Sequence, residues 1–486
     1  MGTVARTKTL GPEPDCAPGS MCATVGAHML YAFIQWLLRT GIRVFYRQIE
    51  VVGRENVPAE GGVIFAGNHP NSLLDPILVI ALAGRRVRFA AKDVLFRSRI
   101  LRFFLDGLGA VPIARRSDHP DGPLDNAGTF DRLLDVLGAG NAIGIFPEGL
   151  SHDEAHLAEL KTGAARIALM TAARHPGKPL CIVPVGLTYI RRRRFRSRVL
   201  MQLGPPIPVG DAEAAAWAAD QRGAARALTG AMEQGLRALT VNASDWDTVR
   251  VLDGVRRLYQ PARMPLEVRT ELARRFNEVY PRLKQVPEIQ ATFAAVSAWQ
   301  ERLREAHLED RDLLRKMGAA EVLARIGRHA LLLLVWLPLA IPGAVVHLPL
   351  ALLAAWTGAT LSPRKDVIAT TKFVVGLLGM VLAFVGVLLT LLLTAGFLVA
   401  AAAAFLLPLS GWATVQVLER GAAMRNVLLT LSRLLRLGRE IEDLRAERVR
   451  LEGEILRLVA RHLPADMAPL FPERAAQGAS RSVPPA

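Results

Sequence analysis

Cysteine is scarce: the 486 residues hold three, at positions 16, 22 and 181. They show no metal-ligand spacing and cannot form a disulfide framework, so a stapled or zinc-organised scaffold is excluded and neither metal nor cofactor is expected. Acidic residues are also in deficit. Sixty Lys plus Arg stand against 44 Asp plus Glu, a net charge of +16, which favours anionic partners. No secretory apolar segment opens the chain, and Arg6 stands where a myristoylation signal wants Ser or Thr. The active region is therefore expected on the cytoplasmic face of a membrane. Charge disappears altogether from Ala330 to Pro363 and from Phe373 to Leu418. A nucleic-acid binder would be basic without such runs, so the expected partners are anionic membrane lipid or a phosphorylated substrate, and no nucleic acid.

What is present falls into seven stretches. Residues 1–26 read as a disordered tail. Residues 27–48 include MLYAFIQWLLRTGIRVFY, which suits a helix in the membrane interface or one packed on a core. Residues 49–210 alternate strand and helix patterns: IEVVG, VIFAG, RRVRFAAK, AVPIA, AIGIF, CIVPVGLTYI and VLMQLG read as strands. This predicts an α/β domain with a mixed, mostly parallel sheet flanked by helices. Residues 211–328 read as a charged α-helical arm, residues 329–418 as C-terminal membrane helices, 419–464 as a heptad-bearing helix and 465–486 as a second disordered tail.

The chemistry concentrates at strand ends. In VIFAGNHPNSLLD an apolar strand delivers Asn68 and His69 into a polar turn, with Asp75 following. A neutral imidazole there can take a proton from an alcohol while Asp75 fixes its tautomer and supports the cation. Arg115 follows GAVPIA, and a guanidinium fork suits phosphate. FPEGLSH supplies Glu148, Gly149, Ser151 and His152, and Lys161 opens the next helix. Pro184, inside IVPVGL, predicts an edge strand or a bulge. Arg191, Arg192, Arg193, Arg194, Arg196 and Arg198 crowd eight positions with no acid among them. Such a cluster predicts a patch facing anionic headgroups or a phosphorylated donor, against the alternative of a solvated hairpin.

Four blocks, NHPNSLLD, GAVPIAR, FPEGLS and IVPVGL, resemble in type and order those of the glycerolipid acyltransferases that include 1-acylglycerol-3-phosphate acyltransferase. Five residues separate His69 from Asp75, where the commonest pattern of that family has four; a bulged turn would absorb the extra one. With the arginine run, GPPIPV and RRLYQPARM, the chain looks most like the fungal-type glycerol-3-phosphate and dihydroxyacetone-phosphate branch. The resemblance implies transfer of an acyl group from acyl-CoA or acyl carrier protein to a glycerol phosphate. His69 and Asp75 would be catalytic, while Asn68, Arg115, Glu148, Gly149, Ser151, Lys161 and Pro184 would bind or shape the substrate. A lysophospholipid acceptor is the nearer rival, and an inactive membrane scaffold of the same fold the more distant one.

Basic residues flank both uncharged regions (Arg325 and Arg328; Arg364, Lys365 and Lys372; Arg420 and Arg425). By the positive-inside rule each region returns to its starting side, the first as a re-entrant hairpin broken at Pro342-Gly343 and the second as a two-helix hairpin turning near Thr394 to Gly396. Leucines at 437, 444, 451 and 458 predict a short coiled coil, with a homodimer through 437–458 or docking on the body as its alternatives.

Overall fold

All seven expected strand stretches pair into one sheet. The computed structural model describes residues 18–114, 127–261, 264–314, 319–462 and 469–474. Strands β1 (Tyr46–Val52), β2 (Gly62–Gly67), β3 (Val87–Lys92), β4 (Val111–Ile113), β5 (Ala142–Ile145), β6 (Leu180–Tyr189) and β7 (Ser197–Leu203) run in the order β1-β7-β6-β2-β5-β3-β4. A two-residue β8 (Ile207–Pro208), not foreseen, adds to β6. Neighbours are parallel except at β6-β7 and β6-β8. The sheet is mixed and mostly parallel, and every residue of β2 is buried, which explains its unbroken apolar run.

Pro184 does not mark an edge strand, because β6 lies between β2 and β7. On the side away from β2, residues 181–182 pair with β8 and residues 185–189 with β7. Pro184 falls at the handover, where its missing N–H is harmless and its carbonyl accepts from Gly204 N–H at 2.8 Å.

One sheet face is covered by helix Leu74–Leu82 and by Tyr31, Ile42 and Phe45 of helix Pro18–Phe45. The backbone of the latter begins at Pro18, inside the stretch expected to be a tail. Gln35 and Arg39 of this helix donate to Ile80 O and Ala81 O, while Met29, Phe33 and Trp36 stay exposed. It packs on the core along one face and leaves an apolar stripe on the other. Trp217, Leu228, Met232 and Leu236, from the segment expected to belong to the arm, join Ile64 and Ile143 in the core of the opposite face.

The arm proper is a helical cluster in which Val255, Leu258, Trp299 and Leu303 pack with Ile441, Leu444, Leu451 and Ile455 of helix Arg439–His462. The heptad leucines are thus consumed within the chain. Arg448 of the same helix is buried against Asp310 at 2.7 Å. A homodimer through 437–458 would have to displace this packing, so that expectation is corrected in favour of docking.

Among the described residues, three helices are long and apolar enough to cross a membrane: Ala319–Thr360, Ile368–Ala395 and Phe397–Leu437. The expected break at Pro342-Gly343 is absent, since the first helix runs through it. Its halves nevertheless meet different partners. Thr414 of the third helix donates to Ala340 O at 3.3 Å, whereas Gly358 lies against Lys372 and Gly376 against Ala354 of the second-helix contact. Glu419 and Lys372 both reach the 193–196 loop. A straight helix would hold the corresponding levels on the order of 30 Å apart at 1.5 Å per residue, so the first helix bends. Pro338, Pro342 and Pro349 supply the missing donors that let it do so. The second and third helices turn back on each other at Gly396, whose φ of 86° suits glycine.

Candidate active site

β2 ends at Gly67, flanked by β5 and β6, and the chain leaves the sheet at its carboxyl edge, where ligands bind in open α/β sheets. Asn68 opens the turn and lines the same cavity as His69. Its amide exchanges bonds with β6, accepting from Leu187 N–H at 2.7 Å and donating to Leu187 O at 3.1 Å, and so fixes the exit of the strand. Next comes His69, whose ring stacks on Phe146 at 4.1 Å between centroids and 7° between planes.

Nδ1 of His69 lies 2.9 Å from Asp75 Oδ2. Asp75 is fully buried at the start of helix Leu74–Leu82, and its carboxylate also accepts from Asn71 N–H at 2.7 Å and Tyr189 O–H at 2.5 Å. The extra residue between His69 and Asp75 is taken up at Ser72, whose φ of 49° is left-handed. Burial, and then the Asp75 charge, pushes the Tyr189 and Tyr46 hydroxyls well above their ordinary range, so Tyr189 remains a proton donor to Asp75. With Nδ1 tied, Nε2 is the ring nitrogen free to meet a substrate.

Glu148 and Ser151, which the resemblance implies bind substrate, hold this turn. Glu148 is 2% exposed. Oε1 accepts from His69 N–H at 2.7 Å, and Oε2 accepts from Ala158 N–H at 2.8 Å and pairs with His152 Nε2. That bond holds His152 above its ordinary 6.5, against the effect of burial. Its stabilising share is complete below pH 6.5 and is lost as pH rises through the elevated value. Ser151 Oγ accepts from Ser72 N–H at 3.0 Å and donates to Asp366 Oδ2 at 2.7 Å. Gly149 takes φ 72°, a backbone conformation that calls for glycine, and the flexible end of Lys161 packs beside it, with Nζ 2.8 Å from where a Cβ would stand. Pro184 packs against Gly204 and Gly235 behind the sheet, away from His69.

Asp366 belongs to the connection between the first two apolar helices, and Thr370 in the second donates to Asn71 O at 3.1 Å. The ends of these helices therefore brace the histidine turn. Sequence reading missed Asp366, although it is the one acid in the basic interval from 364 to 372. It also missed Tyr189, which the strand alternation places on the same face as Val185 and Leu187. If the brace matters, Ser151→Ala and Asp366→Ala will be non-additive in a double-mutant cycle on turnover, with a coupling of about 1–2 kcal/mol. Additive losses would mean that the membrane connection does not support the turn.

Most of the arginine run finds acids from elsewhere in the chain. Arg192 and Arg193 pair with Asp153, Arg196 with Glu419 at 2.7 Å, and Arg191 with Glu309 at 3.7 Å. Arg192 also donates to Pro70 O and His152 O, tying the two loops of the site together. Arg194 and Arg198 have no side-chain partner among the described residues and line a cavity of about 2150 Å³, as does His69. Arg115 lies in 115–126, outside the described residues. Cys181 is buried in β6, and burial pushes its thiol up to about 11, so it offers no ready thiolate.

A buried acid that orients a partly exposed imidazole on the wall of an arginine-lined cavity is an arrangement chemically suited to general-base work on a hydroxyl. Residues 48–188 match the Acyltransferase family and residues 251–467 match the glycerol-3-phosphate acyltransferase 2 C-terminal domain. The chain thus carries an Acyltransferase domain followed by a domain of the glycerol-3-phosphate acyltransferase 2 C-terminal type. It is 26% identical over 450 residues to glycerol-3-phosphate O-acyltransferase 1 of Saccharomyces cerevisiae, covering 72% of this chain and 59% of that protein. To glycerol-3-phosphate O-acyltransferase 2 of the same yeast it is 24% identical over 469 residues, covering 72% and 63%. The chain thus spans about three fifths of the length of these relatives. A shorter likeness, 31% over 124 residues, links 26% of the chain to 47% of the 1-acyl-sn-glycerol-3-phosphate acyltransferase of Borreliella burgdorferi.

Proposed function

We propose that this protein transfers a fatty acyl group from a thioester donor, acyl-CoA or acyl carrier protein, to the hydroxyl of glycerol 3-phosphate or dihydroxyacetone phosphate. The observation that carries the reading is the His69–Asp75 pair, set beneath a cavity rich in guanidinium groups. Nε2 of His69 takes the acceptor's hydroxyl proton, and Asp75 stabilises the imidazolium. The acceptor oxygen attacks the thioester carbonyl. Collapse of the tetrahedral intermediate expels the thiolate, which recovers the proton from His69.

The intermediate's oxyanion needs donors. The turn after His69 is a poor source, because Pro70 has no N–H and those of Asn71 and Ser72 are given to Asp75 and Ser151. The N–H groups of Leu150 and Ser151 beside Gly149 have no partner among the described residues and fill the role in this reading. Arg115 is assigned to the acceptor phosphate. The three apolar helices anchor the chain with its catalytic domain on the cytoplasmic face, the first dipping in and returning, as the basic flanks favour.

An acceptor already carrying one acyl chain is the second reading, favoured by the likeness to the Borreliella enzyme. Purified protein in lipid nanodiscs, given labelled palmitoyl-CoA with glycerol 3-phosphate, dihydroxyacetone phosphate or lysophosphatidate, separates the possibilities. Transfer to either small phosphate is expected. Transfer to lysophosphatidate alone selects the second reading, and transfer to none leaves the scaffold.

A further inference from the structure

Inside the helical arm lies a second cavity, of about 110 Å³. Its wall is apolar and drawn from five segments of the chain, represented by Val255, Phe276, Phe293, Ile455 and Leu470. The last of these belongs to a strap at 469–474 that is tied down on the arm. Phe471 lies 5.9 Å from Tyr259 between ring centroids, and Arg474 donates to Tyr259 O at 2.8 Å and pairs with Glu452 at 3.0 Å. Protein interiors are close-packed, and an apolar void of this size lowers stability. The wall nevertheless keeps Val279 and Val459 where larger side chains would narrow the gap.

One polar group distinguishes this void from a packing defect. His462, at the end of helix Arg439–His462, lines it, and its Nε2 is buried with no hydrogen-bond partner among the described residues. A buried ring nitrogen left unbonded costs stability, so a bonding group from outside the chain is expected. A carboxyl group answers either state of the ring, accepting from its N–H when ionised and donating to the bare nitrogen when protonated. Arg275 also lines the cavity, bonded to Glu271 at 2.6 Å, and adds a cation to that wall. The volume is of the order of the dry apolar cavities, about 150 Å³, that admit a benzene-sized guest. It therefore takes a slender chain of about six carbons and excludes a ring system or a peptide. We propose that this cavity binds a free fatty acid, its carboxyl group on His462 and the first part of its alkyl chain between Phe276 and Ile455. The site also has a means of acting on the enzyme. Leu252 lines both this cavity and the one that holds His69, so helix Trp246–Tyr259 is the partition between them. An occupant pressing on Leu252 and Val255 narrows the larger cavity. On the acyl-transfer reading, on which this second step rests, that slows turnover.

The test uses the full chain in nanodiscs of neutral lipid, with octanoate as the probe in titration calorimetry and empty nanodiscs as the blank. Saturable binding by the wild type is expected. His462→Ala should weaken it about tenfold, the scale of one charge-assisted hydrogen bond, and His462→Gln, which restores a donor, should recover part of the loss. Val459→Trp, a filling change at a partly buried position, should abolish binding while the circular dichroism spectrum stays that of the wild type. His69→Ala should bind as the wild type does, and methyl octanoate should bind about tenfold more weakly than the acid. In turnover with palmitoyl-CoA and glycerol 3-phosphate, saturating octanoate should slow the wild type about fivefold and leave Val459→Trp unaffected. No saturable binding, equal binding by the His462→Ala and Val459→Trp variants, or an ester that binds as tightly as the acid overturns the site. So does binding that appears only when residues 475–486 are removed, since the cavity would then hold the chain's own tail. Octanoate that binds an active enzyme without slowing it overturns the link through Leu252. A protein that binds octanoate in this pattern but transfers nothing sinks the acyl-transfer reading and supports the site.

Discussion

Replacing His69 by alanine is expected to lower acyl transfer by about 10³-fold or more, the range covered by a positioned general base. The reason lies in the tethering of the ring: Asp75 holds Nδ1 and Phe146 stacks on its plane, which leaves Nε2 to meet the acceptor. The fold should survive, because His69 is partly exposed and the latch from Glu148 reaches its backbone N–H, which alanine retains. Single-turnover measurement with labelled palmitoyl-CoA, beside a thermal unfolding curve, checks both halves. A folded variant that still transfers at more than a tenth of the normal rate would mean that His69 is not the base.

The second large effect is expected at Asp75. Asp75→Asn should reduce turnover by about 10²- to 10³-fold, since an amide cannot stabilise the imidazolium or reliably select the tautomer that leaves Nε2 free. Alanine is the less informative change. It would strand Tyr189 O–H, Asn71 N–H and His69 Nδ1 in a buried place at about 1–3 kcal/mol for each unsatisfied group. A stable Asp75→Asn protein with near-normal turnover would sink the pairing as a catalytic device and require another carboxylate. Tyr189 gives a further check, because its O–H donates to the other oxygen of the same carboxylate.

These two effects differ from those of Glu148 and Ser151, which the family resemblance places against the substrate. Both look outward in the sequence, in a Pro-Glu-Gly turn of the kind that greets ligands. In the fold their side-chain oxygens accept from His69 N–H and Ser72 N–H on the neighbouring loop. Most of the arginine run is likewise taken up within the chain. Four of its six members are paired with acids distant in the chain.

The sequence by itself determined the sheet's strands, the histidine and acid at one strand's end, the basic excess and the uncharged stretches, because each is a local pattern of apolarity, charge or spacing. Periodicity also put apolar residues at seven-residue intervals near the end of the chain. Whether those leucines would meet another copy or the arm is a contest between surfaces, and the fold decided it by burying them on Trp299 and Leu303. Tertiary structure likewise decided that Pro184 sits between two pairing partners, that the first apolar helix bends without breaking, and that Asp366 reaches Ser151 across 215 residues of chain. Contacts of that separation depend on packing summed over whole elements, and no short window of sequence contains the information.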